Sequence, residues 1–313
     1  MKWTLIFVLI TSATILVGCA SPGSTAGDDS SHQAPEEMAD DEEPPEAELR
    51  DSTGETASDA ESAEHIREIL DGAHRSGDRA ARDQYRNPLE TLQFFGVTAD
   101  ATVVEIWPGP GWYTEILGPL LDERGTLRVG LYETKEGDPD HRPTQVTEQY
   151  LEMVDEQRDV LGEFEMGTFA PPEIVELGEL ESAQIVLSIR NLHLLHRDRV
   201  LSDAAQAYYE VLRPGGTFGI VQHRAPEGSD PDEMAEEGYL PEQFVVDHFE
   251  EAGFVLEERS EINANPEDTA DHEHGVWSLP PVLTGDPEDA EHYTAIGESD
   301  RMTLRFVKPN DEY

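Results

Sequence analysis

The chain has almost no cysteine. Its single thiol, Cys19, permits no intrachain disulfide, so the fold must hold together through packing and polar contacts alone. Lysine is nearly as scarce: Lys2, Lys135 and Lys308 are the only three among 313 residues. All cations together number 21 against 68 acids, a formal net charge of −47. A field of that sign repels polyanions, which excludes DNA, RNA and anionic membrane faces as partners. The apolar run at residues 5–17 is shorter than the roughly 20 residues that span a bilayer as a helix.

The acid excess is not confined to one tail. Residues 28–64 hold 15 acids and one cation, Arg50, while residues 65–313 hold 53 acids against 19 Lys and Arg. An acid-rich, lysine-poor chain resembles proteins from high-salt habitats, where charges are strongly screened. An acidic face for a cationic partner is the alternative, but the even spread favours the salt reading. At the start, Lys2, the apolar run and Leu16-Val17-Gly18-Cys19 read as an export signal over residues 1–19. The tetrapeptide resembles the lipobox of bacterial lipoproteins. That resemblance implies cleavage before Cys19, a lipid on its sulfur, and an exported protein anchored to the cell envelope and facing the periplasm. Residues 20–63 are rich in Ser, Gly, Pro, Asp and Glu and nearly free of large apolar side chains. They cannot bury enough surface to fold, so they read as a disordered acidic linker. A coil of that length spans roughly 35–40 Å. The folded domain is expected over residues 64–313.

Within that domain apolar patterns alternate between strand and helix periods. Helices are predicted over 66–70, 79–86, 89–95, 112–121, 146–160, 200–212 and 241–252. Strands are predicted over 102–106, 126–132, 163–166, 184–189, 217–221, 254–261 and 302–307. Alternation of this kind gives a parallel sheet covered by helices on both faces. The fold class is therefore α/β, a Rossmann-like doubly wound sheet of seven strands, mostly parallel.

The first strand runs straight into a turn, Trp107-Pro108-Gly109-Pro110-Gly111, and then a helix. Strand, glycine turn, helix opens a nucleotide-binding unit. Gly109 and Gly111 let the backbone pass close to a ligand. Pro108 and Pro110 remove two N–H donors, so the turn is no phosphate cradle.

This stretch resembles motif I of class I S-adenosylmethionine (SAM)-dependent methyltransferases. Glu105 falls on the motif's acid, and Gly109 and Gly111 on its second and third glycines, with Trp107 in place of the first. Leu212-Arg213-Pro214-Gly215-Gly216 resembles the hairpin that precedes that family's fifth strand. The likeness extends in order over about residues 62–309. It is nearest to a group of predicted methyltransferases with signal peptides, carried by Phe94-Phe95-Gly96, Arg190-Asn191-Leu192-His193, His223-Arg224-Ala225-Pro226, Glu261 to Pro266 and Gly297 to Met302. It implies an antiparallel last strand and SAM as cofactor, with Glu105, Trp107, Pro108, Gly109, Gly111 and Tyr113 around the turn. Tyr132 or Glu133 then stands at the ribose position after the second strand, and Thr168 beside the adenine after the third.

In open α/β sheets ligands lie beyond the carboxyl ends of the strands. There Arg190, Asn191 and His193 follow the fourth strand and His223 the fifth. His193 suits a general base for an O–H or N–H acceptor, with His223 as rival and Asn191 orienting the acceptor. Asp268, Asp271, His272, Glu273 and His274 match no closed metal-site spacing, so no metal is assigned. Residues 262–300 exceed the usual connection and read as a lid. Two functions follow: methyl transfer to a small-molecule or envelope acceptor, or a non-catalytic or repurposed binding module on the same fold. The cytoplasmic origin of SAM and the substitutions at Trp107, Tyr132 and Thr168 favour the second; the polar Arg190-Asn191-His193 group favours the first. The sequence leaves the oligomeric state open.

Overall fold

The computed structural model describes residues 57–138 and 140–310. The expected leader, Cys19 and the linker as far as residue 56 lie outside the described residues. Nine strands join one sheet: β1 (Thr102–Ile106), β2 (Thr126–Leu131), β3 (Glu165–Ala170), β4 (Ile174–Val175), β5 (Ala183–Ile189), β6 (Leu212–Ala225), β7 (Leu240–Pro241), β8 (Val255–Ser260) and β9 (Arg301–Val307). Their order is β4-β3-β2-β1-β5-β6-β9-β8, with β7 beside β6. The pairs β1–β2, β1–β5, β2–β3 and β5–β6 are parallel. The last strand, β9, is antiparallel to both neighbours, β6 and β8. This is the expected doubly wound, mostly parallel sheet with an antiparallel last strand. The two extra strands, β4 and β7, are two-residue ladders.

Among the described residues twelve α-helices accompany the sheet: α1 (Ala57–Leu70), α2 (Gly77–Ala80), α3 (Asp83–Arg86), α4 (Pro88–Phe94), α5 (Thr114–Leu121), α6 (Arg142–Glu156), α7 (Arg158–Leu161), α8 (Leu192–Arg197), α9 (Leu201–Val211), α10 (Pro231–Glu236), α11 (Glu242–Glu251) and α12 (Ala290–Ile296). Side chains alternate across the central strands, so each strand feeds two cores. Val103, Ile185 and Leu187 pack with Ile116, Leu117 and Tyr150 on one face. Val104, Ile106 and Val186 pack with Tyr208, Phe218 and Phe249 on the other.

Several boundaries differ from expectation. Helix α1 begins at Ala57, inside the stretch read as linker: Ser62 and Ala63 are buried, and the Ser62 hydroxyl accepts the Ala99 N–H. The helix expected over 79–86 is two short pieces, and Asn87 closes the second in a left-handed conformation at φ 39°. The helix expected to reach residue 160 breaks at Gln157 into α6 and α7. The third strand starts later and runs longer than 163–166. It is a sparsely covered strand, so its sequence shows little apolar alternation. Thr168 consequently sits inside β3, paired with Leu131, rather than after it. Residues 213–216 loop out of the β5–β6 ladder between Ala183↔Leu212 and Ile185↔Thr217, as the Pro-Gly-Gly sequence implies.

Parallel pairing brings the carboxyl ends of β1, β2, β5 and β6 to one edge. Because β9 runs the other way, its first residue joins them there: Arg301 pairs with His223.

Behind that edge, Gly111 (φ +83°) packs against α6, where a Cβ would overlap Met153 Cε and lie 3.3 Å from the Tyr150 ring. Gly96 (φ +72°) has open space at the same position. Gly96→Ala should therefore cost about 1 kcal/mol for the left-handed backbone alone. Gly111→Ala adds overpacking and should cost about 2–4 kcal/mol. Denaturant midpoints of the two variants measure the difference; equal losses would mean that α6 does not press on the turn.

Candidate ligand-binding cleft

A cleft of about 790 Å³ opens at the carboxyl edge of the sheet. Of the residues singled out in the sequence, Trp107, Pro108, Gly109, Tyr132, Glu133, Arg190, Asn191, His193 and His223 line it. Glu105, Gly111, Tyr113 and Thr168 do not. Glu105 and Tyr113 are buried beneath the turn, Gly111 faces α6, and β3 sends Phe169 and Ala170 into the lining instead of Thr168.

The turn is built from its local sequence. Trp107 leaves β1 at φ +45°, a left-handed conformation that costs an ordinary residue about 1–2 kcal/mol. Three contacts fix it. The Trp107 N–H donates to Gly130 O at 2.8 Å. Its Nε1–H donates to Phe169 O at 2.9 Å. The ring stacks on Tyr132, centroids 4.3 Å apart and planes 23° apart. The position where the resembled motif has glycine is thus left-handed here, and the indole becomes a wall of the cleft. Gly109 follows at φ +60° with nothing within 4 Å of its missing Cβ. Arg79 braces the turn from outside through Pro110 O at 2.7 Å.

Glu105 points to the other face of β1. Its carboxylate accepts the Thr114 hydroxyl at 2.7 Å, tying the strand to the start of α5. Burial pushes its pKa up to about 7, with the Thr114 bond pulling the other way.

At the end of β5 the Asn191 amide is committed within the protein. Its Nδ2–H donates to Ile106 O at 2.8 Å and its Oδ1 accepts from Ser188 Oγ–H. Asn191 thereby fastens β5 to β1. His193, buried in α8, meets Gln222 from β6 with Nδ1 3.3 Å from the amide nitrogen. The Leu192 N–H donates to Gln222 Oε1, which fixes the amide orientation and makes Gln222 Nε2–H the donor to Nδ1. The neutral ring then carries its proton on Nε2. Burial holds the His193 pKa down at about 4, so the ring is neutral near pH 7 and offers an N–H. His223 lies 5.8 Å away, centroid to centroid, with Nδ1 2.5 Å from Ser299 Oγ. Burial first, then His193, Arg190, Arg301 and Arg86, drive its pKa well below the usual value. Trp277 closes over His193 at 6.2 Å. With Val276, Pro280 and Pro281, it makes residues 262–300 a wall of the cleft.

The acidic run in that segment is internally spent. Asp268 accepts from His272, from the backbone N–H groups of Ala270 and Asp300, and from Tyr239. Among the described residues no group of three or more His, Cys, Asp and Glu is arranged to hold a metal.

One cluster escaped the sequence reading. The buried Glu298 carboxylate receives Arg82 Nε at 2.6 Å, Arg86 Nε at 3.0 Å and Arg301 Nη2 at 3.0 Å. Arg190 Nη1 stands 3.8 Å from the same group. Burial would raise the Glu298 pKa; the arginines outweigh it and hold it down at about 2. Arg86 also lies over the Trp112 ring at 4.6 Å. The Arg82–Arg86 spacing, one helical turn apart in an acid-rich chain, was the available signal.

No protein-family model matches the chain, and no curated protein does. Solved structures that superpose on it include a SAM-dependent methyltransferase from Aquifex aeolicus: 16% identity, TM-score 0.45, over 64% of this chain and 93% of that one. The cyclase SpnF aligns at 12% identity and TM-score 0.48, over 82% and 96%. The N-methyltransferase NodS of Bradyrhizobium japonicum, solved with S-adenosylhomocysteine, aligns at 14% and 0.45, over 80% and 99%. The strand order, not these distant likenesses, defines the fold.

Glu105 yields a pH test. Its raised folded pKa means the native state binds the extra proton between about 4.5 and 7. Stability is therefore lost as pH rises through that window, by on the order of 3 kcal/mol once complete. Glu105→Gln keeps an acceptor for Thr114 and removes the penalty. Thermal melts should show the variant gaining on the native protein from pH 5 to pH 8; a constant offset would mean that the carboxyl titrates normally.

Proposed function

We propose that the chain is a SAM-dependent methyltransferase-like protein, exported and lipid-anchored through Cys19, acting on a small-molecule or envelope acceptor. The observation that carries the reading is Gly109: an open, left-handed glycine at the end of β1, lining a cleft on the carboxyl edge of a sheet whose last strand is antiparallel. The residues present fit the cofactor. Gly109 leaves space for close approach, Trp107 and Tyr132 offer an aromatic wall, and Glu133 stands exposed after β2 to accept ribose hydroxyls. Bound there, SAM would supply an electrophilic methyl group on a good leaving group. The chain's part is to position the acceptor in line and take up its proton.

His193 and His223 divide that work. His193 presents Nε2–H and serves as a donor that orients the acceptor. His223, whose Nδ1 meets the Ser299 hydroxyl, is the candidate base: with its ring proton on Nδ1, Nε2 is free to take the acceptor's proton. Arg190 lies near His223. Asn191 holds the floor of the site through β1. A second reading, a binding module without catalysis, is favoured by the Asn191 amide being wholly engaged and by both histidines titrating far below neutrality.

Calorimetry of the protein in high salt with SAM and S-adenosylhomocysteine tests the reading. Micromolar binding of both is expected. Gly109→Val fills the approach, at the cost of strain in the left-handed turn, and should abolish it. Silence with both ligands, or full affinity in the variant, overturns the assignment.

A further inference from the structure

The charge of the cleft is opposite to that of the chain. Acids outnumber cations 68 to 21 in the whole sequence. In the cleft lining the order reverses: Arg82, Arg86, Lys135, Arg142, Arg190 and Arg197 stand against four acids, Glu133, Glu173, Asp198 and Glu298. The surplus is densest at one end. There four guanidinium groups surround the single Glu298 carboxylate.

Two of these groups are not satisfied by the protein. Arg86 Nη1 is buried with no hydrogen-bond partner among the described residues, although Arg86 is only 3% exposed and borders the cleft. The Arg190 guanidinium makes no hydrogen bond among the described residues; Glu298 Oε2 at 3.8 Å is its only carboxylate contact. Arg190 is also held at φ +61°, a conformation a non-glycine residue adopts at a cost. Arg86 Nη1, buried and unpaired, carries a large desolvation penalty unless a ligand completes it, while the Arg190 side chain, 21% exposed, opens onto the cleft beside it.

The position of the cluster says which ligand. Arg190 follows β5, Arg301 begins β9, and His223 lies near the end of β6, whereas Tyr132 and Glu133 follow β2. From β2 to β6 is three strand spacings, about 14 Å. Arg190, after β5, is one strand from the glycine turn and two from β2, so the surplus charge lies on the β5–β9 side of that turn, beside His223, rather than at the Tyr132–Glu133 end of the nucleoside wall. A sulfonium cofactor is itself net cationic and leaves the surplus uncompensated.

We propose that Arg82, Arg86 and Arg190 hold an oxyanion of the methyl acceptor, so that the acceptor is an anionic small molecule bearing a carboxylate or a phosphate. The proposal rests on the methyl-transfer reading for the word acceptor; the oxyanion site itself stands on the cluster. Planar guanidinium groups suit both anions through paired N–H donors.

The test is calorimetry on the protein saturated with S-adenosylhomocysteine, at one fixed KCl concentration, titrated with inorganic phosphate and, separately, succinate. One of the two is expected to bind at unit stoichiometry without releasing the nucleoside, and which one binds tells phosphate from carboxylate. Arg190→Gln, at a side chain that bonds nothing in the fold, should weaken that binding about tenfold or more while nucleoside affinity holds. Arg190→Lys should recover part of the loss. Binding of neither anion overturns the proposal, and so does an unchanged affinity in Arg190→Gln. So does competition between the anion and S-adenosylhomocysteine, because the cluster would then serve the cofactor's own carboxylate. If the nucleoside fails to bind but the anion still binds through Arg190, the oxyanion site stands and the methyl-transfer reading falls.

Discussion

The Glu298 carboxylate is the point on which the site depends. It is 4% exposed and lies just ahead of β9, yet its partners Arg82 and Arg86 come from the other end of the domain. A carboxylate buried alone would be protonated or would cost several kcal/mol. Here three guanidinium groups bond it and a fourth stands close, so it stays charged and draws α2 and α3 down onto the mouth of the sheet. Arg86 passes the constraint on by lying over Trp112, the residue after the glycine turn. One ion cluster thus links the N-terminal helices, the motif turn and the last strand.

Topology explains why such a cluster forms at that edge. Parallel strands deliver all their carboxyl ends to one side, and the segments that follow them must meet there. An all-parallel sheet would send the start of its last strand to the far edge. The reversal of β9 instead places Arg301 opposite His223, and with it the Gly297 to Asp300 approach. In a chain this acidic, cations are few, and the fold gathers six of them around one cleft.

The two histidines show how neighbours separate like groups. His193 is buried and His223 half-buried; Gln222 dictates the His193 tautomer through the Leu192 N–H, while the Ser299 hydroxyl, which can donate or accept, faces His223. The His193 tautomer is thus fixed by its neighbours, and that of His223 is left to the Ser299 hydroxyl. Neither role can be read from the residue type.

Much of the fold was legible because periodicity is local. The β1 strand, its Pro-Gly turn and α5 stand where the sequence predicts them, and so do β2, β5, α9, α11, β8 and β9. The misses occur where local patterns were weak or overruled. β3 is too exposed to alternate, so Thr168 was placed one element too late. Asn87 and Gln157 break helices whose composition favours continuity. α8 was not predicted, because its six residues mix His, Leu and Arg. The sequence by itself determined the order of strands and helices, the glycine turn at Gly109 and the overwhelming acidity, since each depends on neighbours within a few residues. Only the tertiary structure decided that Gly111 faces α6, that Asn191 is spent on β1, and that Arg82, Arg86, Arg190 and Arg301 converge on Glu298. Those facts rest on contacts between residues far apart in the chain, and no local pattern records them.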